Sequence, residues 1–339
     1  MSDWRIWLKR KFSGLQGQAE RNFKEANAAC ACKNYAEALP LYEESLQQFR
    51  QLQQWEMVLP VRLHLGDVNR LAGDYAAART HLEQAISLAR TQKHNDFLDA
   101  ALIRLATVAG LQGEYGLAER LCAECLQLEP LPEKALEYAA TQCLLAVISK
   151  TMSEARTHYE TALEIYRDHE HREGILDCLC GLGHCTEPGQ DNSPQWAWLE
   201  ECVELCDPHE DETLRAYVLN NLGNIERFDD HLDIALELYR DSLRIELRLD
   251  DERAIASTLD GCAAIAAARR EGAIAARLLG KAAEIRKRLG TPLERKKQPE
   301  YDALLVEVRE LLPAAEFEAA WEGGRTLPVS LIVTEVMEG

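Results

Sequence analysis

The sequence predicts an all-α solenoid of about seven helical hairpins, closed by a helical cap at each end. Three observations carry this expectation. One residue pattern recurs: Leu219, Leu222 and Ile225 mark a helical face that includes Gly223, and Leu232, Ala235, Leu236, Tyr239 and Leu243 mark a second face, with Ala235 and Ser242 as small contact points. The polar break Asp229-Asp230-His231 between them suits the turn of an antiparallel helix pair. The pattern is also evenly spaced, since Tyr35, Tyr75 and Tyr115 stand 40 residues apart, inside the window of solenoid repeats. Finally, only 19 glycines and 11 prolines occur in 339 residues, which fits a helical array.

Taken in order, residues 1–18 place Trp4, Ile6, Trp7, Leu8 and Phe12 among Arg5, Lys9, Arg10 and Lys11. This basic aromatic segment reads either as a cap over the first helix or as a membrane-surface or partner-docking helix. Residues 19–130 hold three regular repeats, over 19–49, 55–90 and 97–128. Their codes are Lys33-Asn34-Tyr35 with Ala38, Tyr42 and Ser45; Leu65-Gly66 and Gly73-Asp74-Tyr75 with Ala78, Leu82 and Ala85; and Leu105-Ala106 and Gly113-Glu114-Tyr115 with Ala118, Cys122 and Cys125. Glu129-Pro130-Leu131-Pro132 interrupts the array.

Residues 131–210 hold two degenerate repeats. The fourth keeps Ala155, Tyr159 and Ala162 but has Lys150-Thr151-Met152 at its turn; the fifth keeps Leu182-Gly183, then breaks into a loop over 186–194 before a helix with Trp196 and Trp198. Residues 211–290 return to the pattern in repeats over 212–249 and 251–289, the last with Ala276, Gly280 and Ala283 at its contact places and its turn near Arg270-Glu271-Gly272. Residues 291–339 form the far cap, with helices expected over 299–312 and 314–323 and an apolar run at 331–336 that reads as helix or strand.

The recurring code resembles the tetratricopeptide repeat (TPR), with a period longer than the roughly 34 residues of the standard form. The resemblance implies a right-handed TPR-like α-solenoid whose first helices line a concave groove. A second resemblance lies in Ala275-Ala276-Arg277-Leu278-Leu279-Gly280-Lys281-Ala282-Ala283, Arg286, Leu289-Gly290, Pro292-Leu293, Tyr301, Phe317, Ala319-Ala320-Trp321, Gly323/Gly324-Arg325 and Leu327. These residues look like the tail of the TPR sensor arrays in LuxR-type and related STAND ATPase regulators of bacteria. The sequence has no GxxxxGK[ST], no Walker-type acidic strand and no DNA-binding helix-turn-helix, so what this resemblance implies is a stand-alone sensor array.

By register the groove-facing places include Asn27, Asp67, Arg70, Thr107, Asn220, Asn224 and Arg227. An asparagine offers a donor and an acceptor to the main chain of an extended peptide. Arg70 and Arg227 can pair with a carboxylate in bidentate fashion. The competing reading is a solvated face, with Asp67 paired to Arg70 and Glu226 to Asp230 or Arg227.

Net charge is −19, spread along the chain, which excludes nucleic acid as the expected partner and favours a protein or peptide of basic character. No secretory signal or membrane-spanning run is recognisable, and eleven cysteines then point to a reducing, cytoplasmic setting; no membrane partner is expected, and the sequence does not set the oligomeric state. Cys178, Cys180, His184 and Cys185, with Cys202, Cys206 and His209, could be imagined around zinc, but their spacings are not those of zinc knuckles. Packing is the expected role of these thiols, as of Cys30/Cys32 and Cys122/Cys125, and no metal or cofactor is expected. No catalytic constellation is present, so the expected function is a non-catalytic scaffold or sensor. Two other readings stay open: a regulatory subunit controlling an enzyme or transcription factor in trans, and a membrane-peripheral adaptor acting through residues 1–14.

Overall fold

The computed structural model describes residues 3–128, 134–207 and 211–338 and, within them, the side chains of residues 14–337. Seventeen α-helices and no strand occur among the described residues. The chain divides into two compact units, residues 1–137 and 138–339. In the first, α1 (Asp3–Ala31) packs on α2 (Tyr35–Gln51), α3 (Trp55–Leu71) on α4 (Tyr75–Gln92), and α5 (Asn95–Leu111) on α6 (Tyr115–Gln127). The boundary falls in the first turn of α7 (Ala135–Ile148).

The second unit continues with α8 (Met152–Asp168), bonded to α7 through His158 Nδ1 and Gln142 Oε1 at 2.6 Å. It adds the pairs α9 (Arg172–His184) and α10 (Ser193–Leu205), α11 (Glu212–Phe228) and α12 (Leu232–Leu249), and α13 (Glu252–Ala268) and α14 (Gly272–Leu289). Three further helices follow: α15 (Gln298–Glu310), α16 (Ala314–Thr326) and α17 (Val329–Glu338). The run at 331–336 is thus helical. The basic aromatic segment forms no separate element, because α1 runs unbroken from Asp3 through the first repeat. The interruption at 129–132 lies outside the described residues.

Five of the hairpin turns share one device. A residue with left-handed backbone ends the first helix, and the next residue opens the second. In the second repeat the Gly73 N–H donates to Arg70 O (3.1 Å) and the Asp74 N–H to Asn69 O (2.8 Å), while Asp74 Oδ1 accepts from the Ala77 N–H (2.9 Å). Orphan groups at both helix ends are satisfied within three residues. Gly73 and Gly113 adopt φ of 81° and 75° at little cost, but Lys33, Asp230 and Arg270 hold the same place at 58°, 63° and 63°, and Glu170, in the connection from α8 to α9, stands at 51°. Where the turn code weakens, Thr151 takes over as cap, its hydroxyl accepting from the Glu154 N–H at 3.1 Å.

Inside each hairpin a small residue on the first helix receives a large one from the second. A Cβ at Gly66 would lie 2.6 Å from Leu82 Cδ2, and one at Gly223 would lie 2.6 Å from Tyr239 Cε1. Leu82 is 1% exposed, and burying such a side chain contributes about 1.5–3 kcal/mol. The small place at the far end of the code has a polar use as well. Ser45 donates to Ala19 O (2.9 Å), Cys125 to Asp99 O (3.6 Å), Cys202 to Leu176 O (3.9 Å) and Ser242 to Ala216 O (2.7 Å), each across 26 residues. A hydroxyl or thiol there ties the hairpin by a side chain that is otherwise buried in apolar contacts.

At the end of the chain α16 lies against α14 with almost no side chain between them. A Cβ on Gly280 would collide with the Trp321 carbonyl, and one on Gly324 with the Arg277 carbonyl. Arg277 pairs with Glu335 of α17, and Arg240 of α12 donates to Val336 O at 2.8 Å, so the final helix is fixed to two earlier ones.

Candidate functional site

In the first unit the first helices of the hairpins, α1, α3 and α5, carry the places expected to face a groove. The Tyr42 hydroxyl donates to Asn27 Oδ1 at 2.6 Å. Tyr42 is fully buried, its ring stacked on His64 at 5.5 Å and 8°, with Phe23 edge-on to both. Burial pushes the tyrosine up to about 12, with the Cys30 thiol and Asp67 adding to it, so the hydroxyl keeps its proton and donates. Asn27 therefore has its amide NH2 left to offer.

Asp67 does not pair with Arg70 along its own helix; it accepts from Arg104 Nε of α5 at 2.7 Å. Arg104 Nη1 also donates to Ala100 O at 3.1 Å. Arg70, partly exposed, makes no ion pair among the described residues. The Thr107 hydroxyl turns inward along α5 to Ile103 O at 2.9 Å and offers little to a partner.

In the second unit Asn220 is only 5% exposed, and its amide donates to Thr258 Oγ1 at 2.8 Å, so it belongs to the interior. Asn224 repeats the arrangement of Asn27: the Tyr239 hydroxyl donates to its Oδ1 at 2.9 Å, and its Nδ2 donates to Asn220 Oδ1 at 3.3 Å. Arg227 lies over the Phe228 ring at 4.2 Å, and its Nη2 donates to Glu300 Oε1 at 2.6 Å. Glu226 meets His231 Nδ1 at 2.7 Å rather than Asp230 or Arg227.

Glu300 belongs to a stretch that the repeat pattern does not describe. The left-handed Gly290, at φ 64°, ends α14, and residues 291–294 then carry no regular structure before a turn at 295–297 leads into α15. This strap crosses the first helices of the second unit. Lys296 Nζ donates to Val147 O (3.0 Å) and Ala146 O (3.3 Å), among the last carbonyls of α7, where a cation is favoured by the helix dipole. Glu294 Oε2 sits 2.8 Å from Lys296 Nζ and 3.7 Å from His184 Nε2 on α9. Burial would raise the Glu294 carboxyl, but Lys296 and the His184 ring outweigh it and hold the group well below the usual carboxylate range. Leu293, Lys297 and Tyr301 line a cavity of about 50 Å³ together with Asn224, Arg227, Ser257 and Asp260. Burial lowers the Lys297 ammonium, with Glu294, Glu300 and Asp260 working against it. The strap thus touches α7, α9, α11 and α13 in turn.

Residues 19–91 match the family model described as tetratricopeptide repeat. That segment carries tetratricopeptide repeats. No curated protein matches its sequence. Among solved structures, the apo form of the quorum sensor NprR from B. thuringiensis is similar, with a TM-score of 0.55 and 15% identity over 94% of this chain and 98% of that chain. At that identity the likeness is one of fold, and it extends the TPR-like reading from the matched segment to nearly the whole chain. The resemblance of residues 275–327 to LuxR-type sensor arrays is not shown by these matches.

Within the TPR array the thiols considered for zinc have separate partners, although Cys202 and Cys206 stay side by side with Cys180 near them. Cys178 Sγ lies 3.4 Å from Cys143 Sγ, Cys180 accepts from Asn221, Cys185 bonds Gly181 O and Cys202 fills the hairpin-tying place. His209 lies outside the described residues. Among the described residues no group of three or more His, Cys, Asp or Glu side chains is placed to hold a metal ion, and no helix is long and apolar enough to cross a membrane. Sequence reasoning missed Glu294, Lys296 and Lys297. Their signal was Arg295-Lys296-Lys297 shortly after the Gly290 and Pro292 breaks, a basic run of the kind also found at Lys9-Arg10-Lys11 and Arg286-Lys287-Arg288.

Proposed function

We propose that this protein is a non-catalytic TPR scaffold that binds an extended peptide or protein segment on the inner faces of its helical hairpins and acts as a cytoplasmic sensor. One observation carries the reading: a stretch of the chain outside the repeats, residues 291–297, already lies on the first helices of the second unit, with Lys296 donating to main-chain carbonyls of α7, Glu294 3.7 Å from His184 of α9 and Leu293 lining the cavity beside Arg227. A face that accommodates such a stretch in cis has the width and chemistry to hold one in trans. In the first unit the corresponding helices leave Arg70 without an ion pair and Asn27 with a free amide donor, the groups suited to a partner's carboxylates and main-chain carbonyls. The three cations of the resident stretch agree with a partner of basic character for an array of net charge −19. A quorum sensor shares this fold, and sensing is the finer part of the proposal.

Selection of a random peptide display library on the purified chain tests it. Enriched peptides should be lost on Asn27→Ala/Arg70→Ala or on Asn224→Ala/Arg227→Ala, and their binding should weaken with salt. Selection that yields nothing dependent on either pair would remove the groove as the binding surface.

A further inference from the structure

We propose that residues 291–297 are a displaceable internal ligand of the second unit, and that the same face takes in trans a basic segment of Leu-Glu-Arg-Lys-Lys chemistry. The proposal rests on the peptide-binding reading above and specifies its ligand and its regulation. Capping the end of the array does not require this strap. That work is done by α16 against α14, through the Gly280 and Gly324 contacts, and by α17 through Arg277–Glu335 and the Arg240 bond to Val336 O. The strap instead reaches back three hairpins, to carbonyls 149 and 150 residues earlier in the chain.

Its contacts are those of a bound peptide. Lys296, with its side chain only 1% exposed, places one ammonium on the C-terminal carbonyls of α7. Glu294 turns toward His184, and Leu293 enters the cavity beside Arg227 and Asp260. The fit is incomplete. The cavity stays open beneath Leu293 and Lys297, the Thr291 hydroxyl is buried without a hydrogen bond, and the buried His184 Nε2 has none either, its nearest carboxylate oxygen being 3.7 Å away. Each such group subtracts from the docking energy, so the strap is held less tightly than its buried area suggests. A ligand of the same chemistry that satisfied these atoms would have the advantage.

The test uses the full chain and a fluorescein-labelled peptide with the sequence of residues 290–301, GTPLERKKQPEY, followed by fluorescence anisotropy. A strap docked nine-tenths of the time or more weakens binding in trans by about tenfold or more. Lys296→Glu, which sets an anion against the negative end of α7, should therefore bind the peptide at least about tenfold more tightly than wild type. A peptide with both lysines replaced by glutamate should bind neither protein. Hydrogen exchange on the variant should show residues 291–297 unprotected with α9, α11 and α13 still protected; if Lys296→Glu does not fold, Lys296→Met, which keeps the stem and removes the charge, is held to the same criterion. A folded variant with a freed strap that binds no more tightly than wild type would overturn the internal ligand. If library peptides dependent on Asn27 and Arg70 were still selected in that case, the peptide-binding reading would stand without it; if they were lost too, both would fall.

Discussion

Tyr42 donates its hydroxyl to Asn27 Oδ1 at 2.6 Å, and Tyr239 does the same to Asn224 at 2.9 Å, each across 15 residues. In both hairpins the large residue of the second helix passes through to the far side of the first and fixes the amide there. Removing the hydroxyl leaves the ring in place and strips the amide of its anchor. Tyr239→Phe should therefore cost about 1–2 kcal/mol, because Tyr239 is fully buried and its oxygen also accepts from Arg227 Nε at 3.4 Å. Urea unfolding read by circular dichroism measures it, and an unchanged midpoint would show that the bond contributes nothing.

Gly324 and Gly280 should be less tolerant than Gly66. At the first two a methyl group meets the backbone carbonyls of Arg277 and Trp321, which cannot swing aside; at Gly66 it meets the end of the Leu82 side chain. Gly324→Ala is expected to cost about 1–3 kcal/mol by forcing α14 and α16 apart. Gly323→Ala, with nothing within 4 Å, is the control and should be neutral or slightly stabilising. Equal melting temperatures for the two variants would refute the close crossing.

Glu246 gives the second unit a pH dependence of defined sign. Its carboxyl is 1% exposed, and burial raises it from 4.5 to about 7 against the hydroxyls of Ser242 and Thr258, which each lie 2.8 Å from Oε1. Between those two values the folded form holds a proton that the unfolded form has released. The contribution is thus full below pH 4.5 and is lost as pH rises through 7. Glu246→Gln should flatten this slope and raise stability above pH 7 by an amount on the order of 3 kcal/mol. Parallel slopes for wild type and variant between pH 5 and 8 would place the carboxyl's titration elsewhere.

The turn positions predict opposite outcomes for similar exchanges. Glu170 sits at φ 51°, where a side chain is strained, so Glu170→Gly should gain up to about 1 kcal/mol. Gly73→Ala, at φ 81°, should lose a comparable amount although nothing lies within 4 Å of its Cβ. Thermal unfolding of the two single variants decides it.

Much of the fold was legible because the repeat encodes its own contacts. Gly66 with Leu82 and Gly223 with Tyr239 are pairs at one fixed separation, and a fixed separation is what periodicity reveals. The site was legible only in part. Asn27 and Asn224 each accept from the tyrosine hydroxyl of their own hairpin, a contact at fixed spacing, but register says nothing of a partner from outside the repeat. Arg227 meets Glu300 across 73 residues, and Asp67 meets Arg104 of the next hairpin rather than Arg70 of its own. Asn220 occupies a polar place that the core absorbs through Thr258, and Thr107 satisfies its hydroxyl within its own helix. The cysteines were legible as packing groups from spacings unlike those of zinc knuckles, but the hairpin-tying bond that Cys202 makes to Leu176 O carries no sequence signal of its own.

The grip of Lys296 on α7 is one-sided. Ala146 and Val147 contribute carbonyl oxygens, and every residue type carries those, so an alanine scan along α7 would pass over the anchor without a signal. Strains selected for a released strap should therefore carry their lesions between Gly290 and Tyr301. A genetic map would then show half of a contact whose other half is written only in the shape of the backbone.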